Sequence, residues 1–251
     1  MAEKEGRQTV GMIGFGRFGP VLARLLLPEH EVLVYDLRDV RQTVTEIGAR
    51  VVSWEEVIAA RTLFLAVPIR HFKDVVAKLA AEIDAGTTIF DVCSVKVYPA
   101  TVMGEHLPSG VTTIATHPLF GPDSSIEGFQ NLPMVMHPVS PRSDVFERWV
   151  DYFRGQGLRI IEMSPEEHDR LAARSQGITH FIGRVLKAFG ITPTPIDTEG
   201  YRDLQLVVEQ TCHDSFELFH DLENFNPYTM NMVEDVIDAV NQVKQDISRR
   251  E

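Results

Sequence analysis

At 251 residues the chain is long enough for one large domain or two modest ones with a sizeable core. A net charge of −12, from 24 Lys and Arg against 36 Asp and Glu, argues against a nucleic-acid or anionic-membrane partner, since either favours a basic patch. The two cysteines, Cys93 and Cys212, offer neither a disulfide framework nor a metal-ligand spacing, so no metal is expected. With a polar opening (MAEKEGRQ) and no apolar run near the ~20 residues of a membrane span, a soluble cytoplasmic protein is the expectation.

In chain order, residues 9–14 (TVGMIG) read as a short buried strand ending in glycine, and 20–27 (PVLARLLL) as a helix with Pro20 in its first turn. Residues 31–36 (EVLVYD) form the next strand, followed by a polar helix near 40–47, a short strand near 50–52 and a helix near 54–60. The alternation continues through a strand at 62–67 stopped by Pro68, a helix over 71–83, a strand at 87–92, a helix at 99–107 and a strand at 112–116. Such alternation with short connections predicts parallel strands joined by right-handed crossovers, a doubly wound α/β sheet. Two more strands, 133–137 and 159–163, flank a helix at 143–156. From Pro165 onward no strand signal appears. One helix is expected from Pro165, with Ser164 and Glu167 as a capping box, to Phe189 before Gly190. A Pro/Thr-rich connector (ITPTPIDT) and two helical stretches, 199–222 and 227–248, finish the chain. The boundary falls near Ser164, between a sheet domain of residues 1–164 and a helical domain of residues 165–251. The helical part buries too little apolar surface to stand alone, so a homodimer is expected.

Between the first strand and helix lies Gly14-Phe15-Gly16-Arg17-Phe18-Gly19, a GxGxxG turn at the head of a βαβ unit. That context asks for a tight turn at Gly14, backbone approach to a pyrophosphate at Gly16 and close helix–strand packing at Gly19. Asp36 closes the second strand, where a carboxylate can accept both adenosine ribose hydroxyls and repel a 2′-phosphate. NAD is therefore favoured, while Arg38 keeps NADP open. Ligands in such sheets bind beyond the carboxyl ends of the strands, which brings in Val67 and Pro68 after one strand and Ser94 and Lys96 after another. Ser94 reads either as a helix N-cap or as a cofactor- or substrate-facing hydroxyl, and Lys96 as a solvated charge or a ligand contact. Cys93 reads as a buried small residue. His117 follows the 112–116 strand within Thr116-His117-Pro118-Leu119-Phe120-Gly121-Pro122-Asp123, where two prolines and a glycine make a stiff loop. An imidazole, with an ordinary pKa of about 6.5, can take a hydroxyl proton there at pH 7; a capping or core histidine is the competing reading. On the helix after Pro165, His168, Arg174, Ser175, Gln176 and His180 form polar edges that face either a ligand crevice or solvent.

Taken together, GxGxxG with Asp36, DVCSVK, THPLFGPDS, and EEHD followed by SQGITH resemble the prephenate/arogenate dehydrogenase family of tyrosine biosynthesis, over residues 9 to about 221. The resemblance implies a Rossmann-type sheet domain followed by an all-helical substrate and dimerisation domain, and an NAD-dependent oxidative decarboxylation of a cyclohexadienol. On that pattern His117 takes the ring hydroxyl's proton, with Ser94 beside it. His168, His180, Ser175 and Gln176 would line the substrate pocket. The segment Gly200-Tyr201-Arg202-Asp203 matches the one that brings a substrate-binding arginine, so Arg202 is the expected carboxylate partner. The family's second arginine motif has no counterpart in LQLVVEQT (204–211), which leaves Arg170, Arg174 or a residue of a partner subunit as further candidates. Tyrosine inhibition would act at the active site, since no regulatory domain is expected after the helices. A β-hydroxyacid or imine-reductase type of enzyme is disfavoured because Lys187 and Lys244 sit in no motif. A dinucleotide-binding protein without chemistry is disfavoured by the joint presence of Ser94, His117 and Arg202.

Overall fold

A computed structural model describes residues 7–141, 143–213 and 215–249. The chain divides into two compact units, the first ending at Pro165 and the second beginning at Glu166.

The first unit is an eight-stranded sheet. Its strands are β1 (Gln8–Ile13), β2 (His30–Tyr35), β3 (Arg50–Val51), β4 (Thr62–Leu65), β5 (Thr88–Asp91), β6 (Thr112–Pro118), β7 (Pro133–Pro138) and β8 (Arg159–Glu162). The helices between them are α1 (Gly19–Leu26), α2 (Arg41–Glu46), α3 (Trp54–Ile58), α4 (Phe72–Ala80), α5 (Val97–His106) and α6 (Asp144–Gly155). The strand order is β3-β2-β1-β4-β5-β6-β7-β8. The chain leaves β1 in one direction and returns to β4 on its other side, which opens a crevice at the carboxyl ends of β1 and β4. Strands alternate buried side chains between two apolar layers. Val10, Met12, Phe64, Phe90 and Ile114 face α1 and α6 with Leu22, Trp149 and Phe153. Ile13, Leu63, Leu65, Ile89 and Ala115 face the layer of Val57, Phe72, Val76 and Met103 from α3, α4 and α5.

The sheet departs from an all-parallel one at a single pairing, where β7 runs antiparallel to β6. The link from Leu119 to Leu132 holds no crossover helix, only a 3₁₀ turn at Asp123–Ser125, so the chain has to double back. β6 also outlasts its expected end at Thr116 and carries His117 and Pro118 as paired residues. Proline is tolerated there because its nitrogen faces the β5 side of the ladder. Leu119 N–H donates to Pro133 O on the β7 side, so position 118 faces the other way, beyond Asp91, where β5 has already stopped.

The second unit is all helical. α7 (Pro165–Ala172) passes through a π-turn at Ala173–Gly177 into α8 (Ile178–Phe189), and Gly190 closes α8 with a left-handed φ of 86°. The expected single helix is thus continuous in span but loosened at its middle. α9 (Glu199–Cys212) packs along α8. The expected helix 199–222 is broken near residue 213, and α10 (Phe216–Phe225) starts afresh with Ser215 Oγ accepting from Leu218 N–H at 3.2 Å. α11 (Thr229–Ser248) ends the described chain.

Candidate active site

The glycine loop leaves β1 at Gly14, whose φ of +92° lies in the left-handed region. A Cβ there would stand 2.5 Å from Ala66 O, at the end of β4. Gly14 therefore lets two adjacent strand ends close on each other. A Cβ at Gly16 would meet nothing within 4 Å, so this turn keeps open backbone of the kind a pyrophosphate approaches. Gly19 needs correction in one respect: a Cβ there would strike the Phe15 ring at 2.7 Å, so its close packing is against Phe15 rather than a strand. Arg17 is exposed, Phe18 half-buried beside Phe120, and Pro20 stands in the first turn of α1. Val67 and Pro68 follow β4, half-buried and exposed respectively, before a 3₁₀ turn leads into α4.

Asp36 follows β2 and fastens the loop. Its Oδ2 accepts from Phe15 N–H at 2.7 Å and from Arg38 Nη2 at 3.0 Å, and its Oδ1 from Arg38 N–H at 2.8 Å and Arg38 Nε at 3.0 Å. Arg38 Nη2 also donates to Phe15 O at 2.9 Å. Burial pushes the Asp36 carboxyl up, but these donors outweigh it and hold the group below the usual carboxylate range. A carboxylate offers about four acceptor positions, and all are taken by the protein's own donors. The expectation that Asp36 accepts both ribose hydroxyls thus acquires a condition: the Arg38 guanidinium has to swing aside. With its side chain 65% exposed, it is free to do so.

The ends of β5 and β6 carry the remaining candidates of this unit. Asp91 and Ala115 are parallel partners; Ser94 lies three residues past the first and His117 two past the second. Ser94 is half-buried, and it is not an N-cap, because α5 begins at Val97 with Lys96 in the cap position. His117 is 4% exposed. Lys96 overturns both readings of it as a surface or ligand-facing charge. The side chain is 1% exposed, and its ammonium bonds to Asp91 Oδ1 and Thr116 O. Asp91 is fully buried and also accepts from Cys93 N–H at 2.9 Å and Thr116 N–H at 3.2 Å. Sequence reasoning missed Asp91 altogether. Its signal was a carboxylate terminating an apolar strand five residues before a lysine.

In the helical unit, His168 and Ser175 lie in different environments. His168 is buried, with Nδ1 2.7 Å from Asp169 Oδ1, and Asn226 Nδ2 donates to Asp169 O at 2.8 Å. Ser175 is exposed and donates to its own helix at Leu171 O, 2.8 Å away. His180 is half-buried on α8. Arg174 is ion-paired with Asp235 of α11. Arg202 sits exposed in the first turn of α9, where its Nη2 donates to Asp197 O at 2.8 Å. Arg170 and Arg174 line a shallow cleft of about 190 Å³ with Ala173, Tyr228, Asn231 and Met232. Among the described residues no cluster fit to hold a metal ion occurs.

The π-turn exposes a polar feature that sequence reasoning did not anticipate. Gln176 Oε1 and both carboxylate oxygens of Glu223 are buried without a hydrogen bond, and a Cβ at Gly177 would lie 3.5 Å from Glu223 Oε2. The Thr229 hydroxyl approaches Glu223 without reaching hydrogen-bond geometry. Burial pushes the Glu223 carboxyl from an ordinary 4.5 up to about 7. The folded state then keeps a proton that the unfolded chain releases, so this contribution to stability falls as pH rises from about 4.5 to about 7 and is level above that. Thermal melts at pH 5 and pH 8 are expected to show a drop in the wild type that is smaller in Glu223→Gln.

A family model described as the prephenate dehydrogenase nucleotide-binding domain matches residues 24–162, and one described as the TYRAAT1-like C-terminal domain matches residues 185–251. Arogenate dehydrogenase 2, chloroplastic, of Arabidopsis thaliana is 32% identical over 257 residues, covering 98% of this chain and 72% of its own length. Arogenate dehydrogenase 1, chloroplastic, of the same plant is 35% identical over 240 residues, covering 91% of this chain, which spans only 37% of that relative. Among solved structures, prephenate dehydrogenase from A. aeolicus in complex with hydroxyphenyl propionate and NAD+ superposes with a TM-score of 0.78 at 18% identity, over 98% of this chain and 93% of that one. With a family model matching more than half of the chain and a relative 32% identical over nearly all of it, the chain belongs to the prephenate dehydrogenase family.

Proposed function

We propose that the chain is an NAD-dependent dehydrogenase that oxidatively decarboxylates prephenate to 4-hydroxyphenylpyruvate. The observation that carries this reading is the position of His117, held next to last in β6 at the sheet edge that also bears the glycine loop. Arogenate is the second reading, favoured by the names of the two Arabidopsis relatives. The two substrates differ only in a keto group against an ammonium on the side chain. NAD fits the residues present: open backbone at Gly16, a strand-closing turn at Gly14 and a carboxylate at Asp36. When bound, it would supply the hydride acceptor.

In this mechanism His117 accepts the ring hydroxyl's proton as that carbon is oxidised, and Ser94 hydrogen-bonds the same hydroxyl. Loss of the ring carboxylate as CO2 restores aromaticity, which drives the step. Arg202, His168, His180, Ser175 and Gln176 are the proposed substrate contacts, with Arg202 pairing a carboxylate and Arg170 beside Arg174 as the alternative. A −12 chain needs such a local cation to hold a dianion. Cofactor contacts are assigned to Gly14 through Gly19, Asp36, Arg38, Val67, Pro68 and Ser94, and NADP is accommodated if Arg38 turns to a 2′-phosphate. Any inhibition by tyrosine acts at the substrate site. The test is reduced-cofactor formation from prephenate and from arogenate, each with NAD and with NADP. No turnover of either substrate would remove the reading.

A homodimer formed through the helical unit belongs to the same proposal, and cytoplasmic residence rests on composition alone. Among the described residues no helix is long and apolar enough to cross a membrane. On α11, Ile237, Val240, Val243 and Ile247 are exposed at spacings that place them on one stripe. Exposed apolar side chains in a row mark an interaction surface. Light scattering at micromolar concentration is expected to give twice the chain mass of 28.3 kDa, and a monomeric mass would sink the dimer.

A further inference from the structure

The Asp91–Lys96 pair has no place in the chemistry proposed above, yet it is the most deeply buried pair of opposite charges described in the chain, at 0% and 1% exposure. A buried ion pair gives little net stability, because desolvating two charges cancels most of their attraction, and well-packed apolar side chains serve as well. Its value has to be sought in what it holds. Asp91 Oδ1 accepts from Cys93 N–H, whose next residue is Ser94. Asp91 Oδ2 accepts from Thr116 N–H, and the Lys96 ammonium donates to Thr116 O, whose next residue is His117. The Thr116 hydroxyl donates to Asp91 O. Every polar group of Thr116 is thus tied to this pair or to the backbone between its members.

The placement matters because β5 ends at Asp91 and the ladder that would align β6 with it ends at Ala115. Beyond that point His117 pairs with Val135 of β7. On the other side, side-chain bonds from Asp91 and Lys96 replace the missing ladder. From this geometry we infer that Asp91 and Lys96 are positioning residues, a clamp that fixes the spacing between Ser94 and His117 and so the aim of the proposed base. The inference rests on the reading of His117 as that base. Neither clamp residue touches substrate in this scheme; both act through the backbone of residues 93 and 116.

The clamp makes a distinctive prediction: its removal lowers turnover while folding and cofactor binding persist. Two variants of the full chain test it: Lys96→Met, which leaves a buried carboxyl free to take up a proton, and the double Asp91→Leu with Lys96→Met, which removes both charges. Both are expected to fold, to bind NAD within about threefold of the wild type, and to keep the substrate KM within about threefold. kcat is expected to fall ten- to hundredfold, with a larger kinetic isotope effect on the transferred hydrogen as a misaimed base makes that step limiting. Turnover within threefold of the wild type overturns the clamp, as does a loss shared equally by kcat and cofactor affinity. Failure of both variants to fold overturns it too, because the pair is then a stability element. His117→Asn run alongside separates the two claims. If it alone is inactive, only the clamp fails; if it turns over normally, the reading of His117 fails and the clamp has nothing to aim.

Discussion

His117→Asn is expected to lower kcat by ~10³, about 4 kcal/mol of barrier, while leaving NAD affinity unchanged. Asparagine keeps a polar side chain of similar reach but has no basic nitrogen, so it can accept a hydrogen bond from the substrate hydroxyl without taking its proton. The backbone should not respond, because position 117 is paired with Val135 on β7 and preceded by the fully bonded Thr116. The glycine loop and Asp36 belong to β1, α1 and the end of β2, so the cofactor site has no reason to change. The measurement is the rate of NADH formation at saturating substrate, with cofactor affinity read separately by fluorescence titration. A variant that turns over like the wild type would take His117 out of the mechanism.

Much of the fold around the candidate site was legible because the strand ends that carry it coincide with backbone punctuation. Gly14, Pro68 and Gly190 each mark a place where regular structure must stop or turn, and strand–helix alternation located the strand ends between them, whereas Pro118 was read as loop and is the last paired residue of β6. What sequence pattern missed depends on partners distant along the chain. A lysine two residues after Ser94 looks like a surface charge until Asp91 and Thr116 O are seen to enclose it. Antiparallel β7 escaped notice because Pro133–Pro138 reads as a strand whichever way it runs, and only the helix-free link before it fixes the direction. The break at residue 213 has no glycine or proline to announce it; the signal was Ser215, a cap residue inside an apparently continuous helix. The π-turn leaves no periodic trace because α7 and α8 keep amphipathic spacing on either side of it. Glu223 fell just past the expected helix end at residue 222, and nothing marked it until α10 ran on to Phe225 and buried its two oxygens.

Two glycines of one loop should fail in different ways when each is changed to alanine, one through stability and one through cofactor affinity alone. At Gly14 the new methyl must accept a φ of +92° and a carbonyl 2.5 Å away. Neither partner can yield, because Ala66 N–H donates to Ile13 O at 2.8 Å and Gly14 N–H donates to Tyr35 O at 2.8 Å, which ties the loop to β4 and β2 at once. Left-handed backbone in a non-glycine residue costs about 1 kcal/mol and overpacking about 1–3 more. The melting temperature should therefore fall on the order of 10 °C, and cofactor affinity should fall with it. At Gly16 the methyl meets no protein atom within 4 Å, so stability should be that of the wild type. A pyrophosphate lying against that backbone would meet the methyl instead, and NAD affinity should drop tenfold or more, about 1.4 kcal/mol. Melting curves and NAD titrations of both variants check the pair. If Gly16→Ala binds NAD like the wild type, the pyrophosphate does not lie where the loop leaves room for it, and the cofactor assignment of residues 14–19 has to be redrawn.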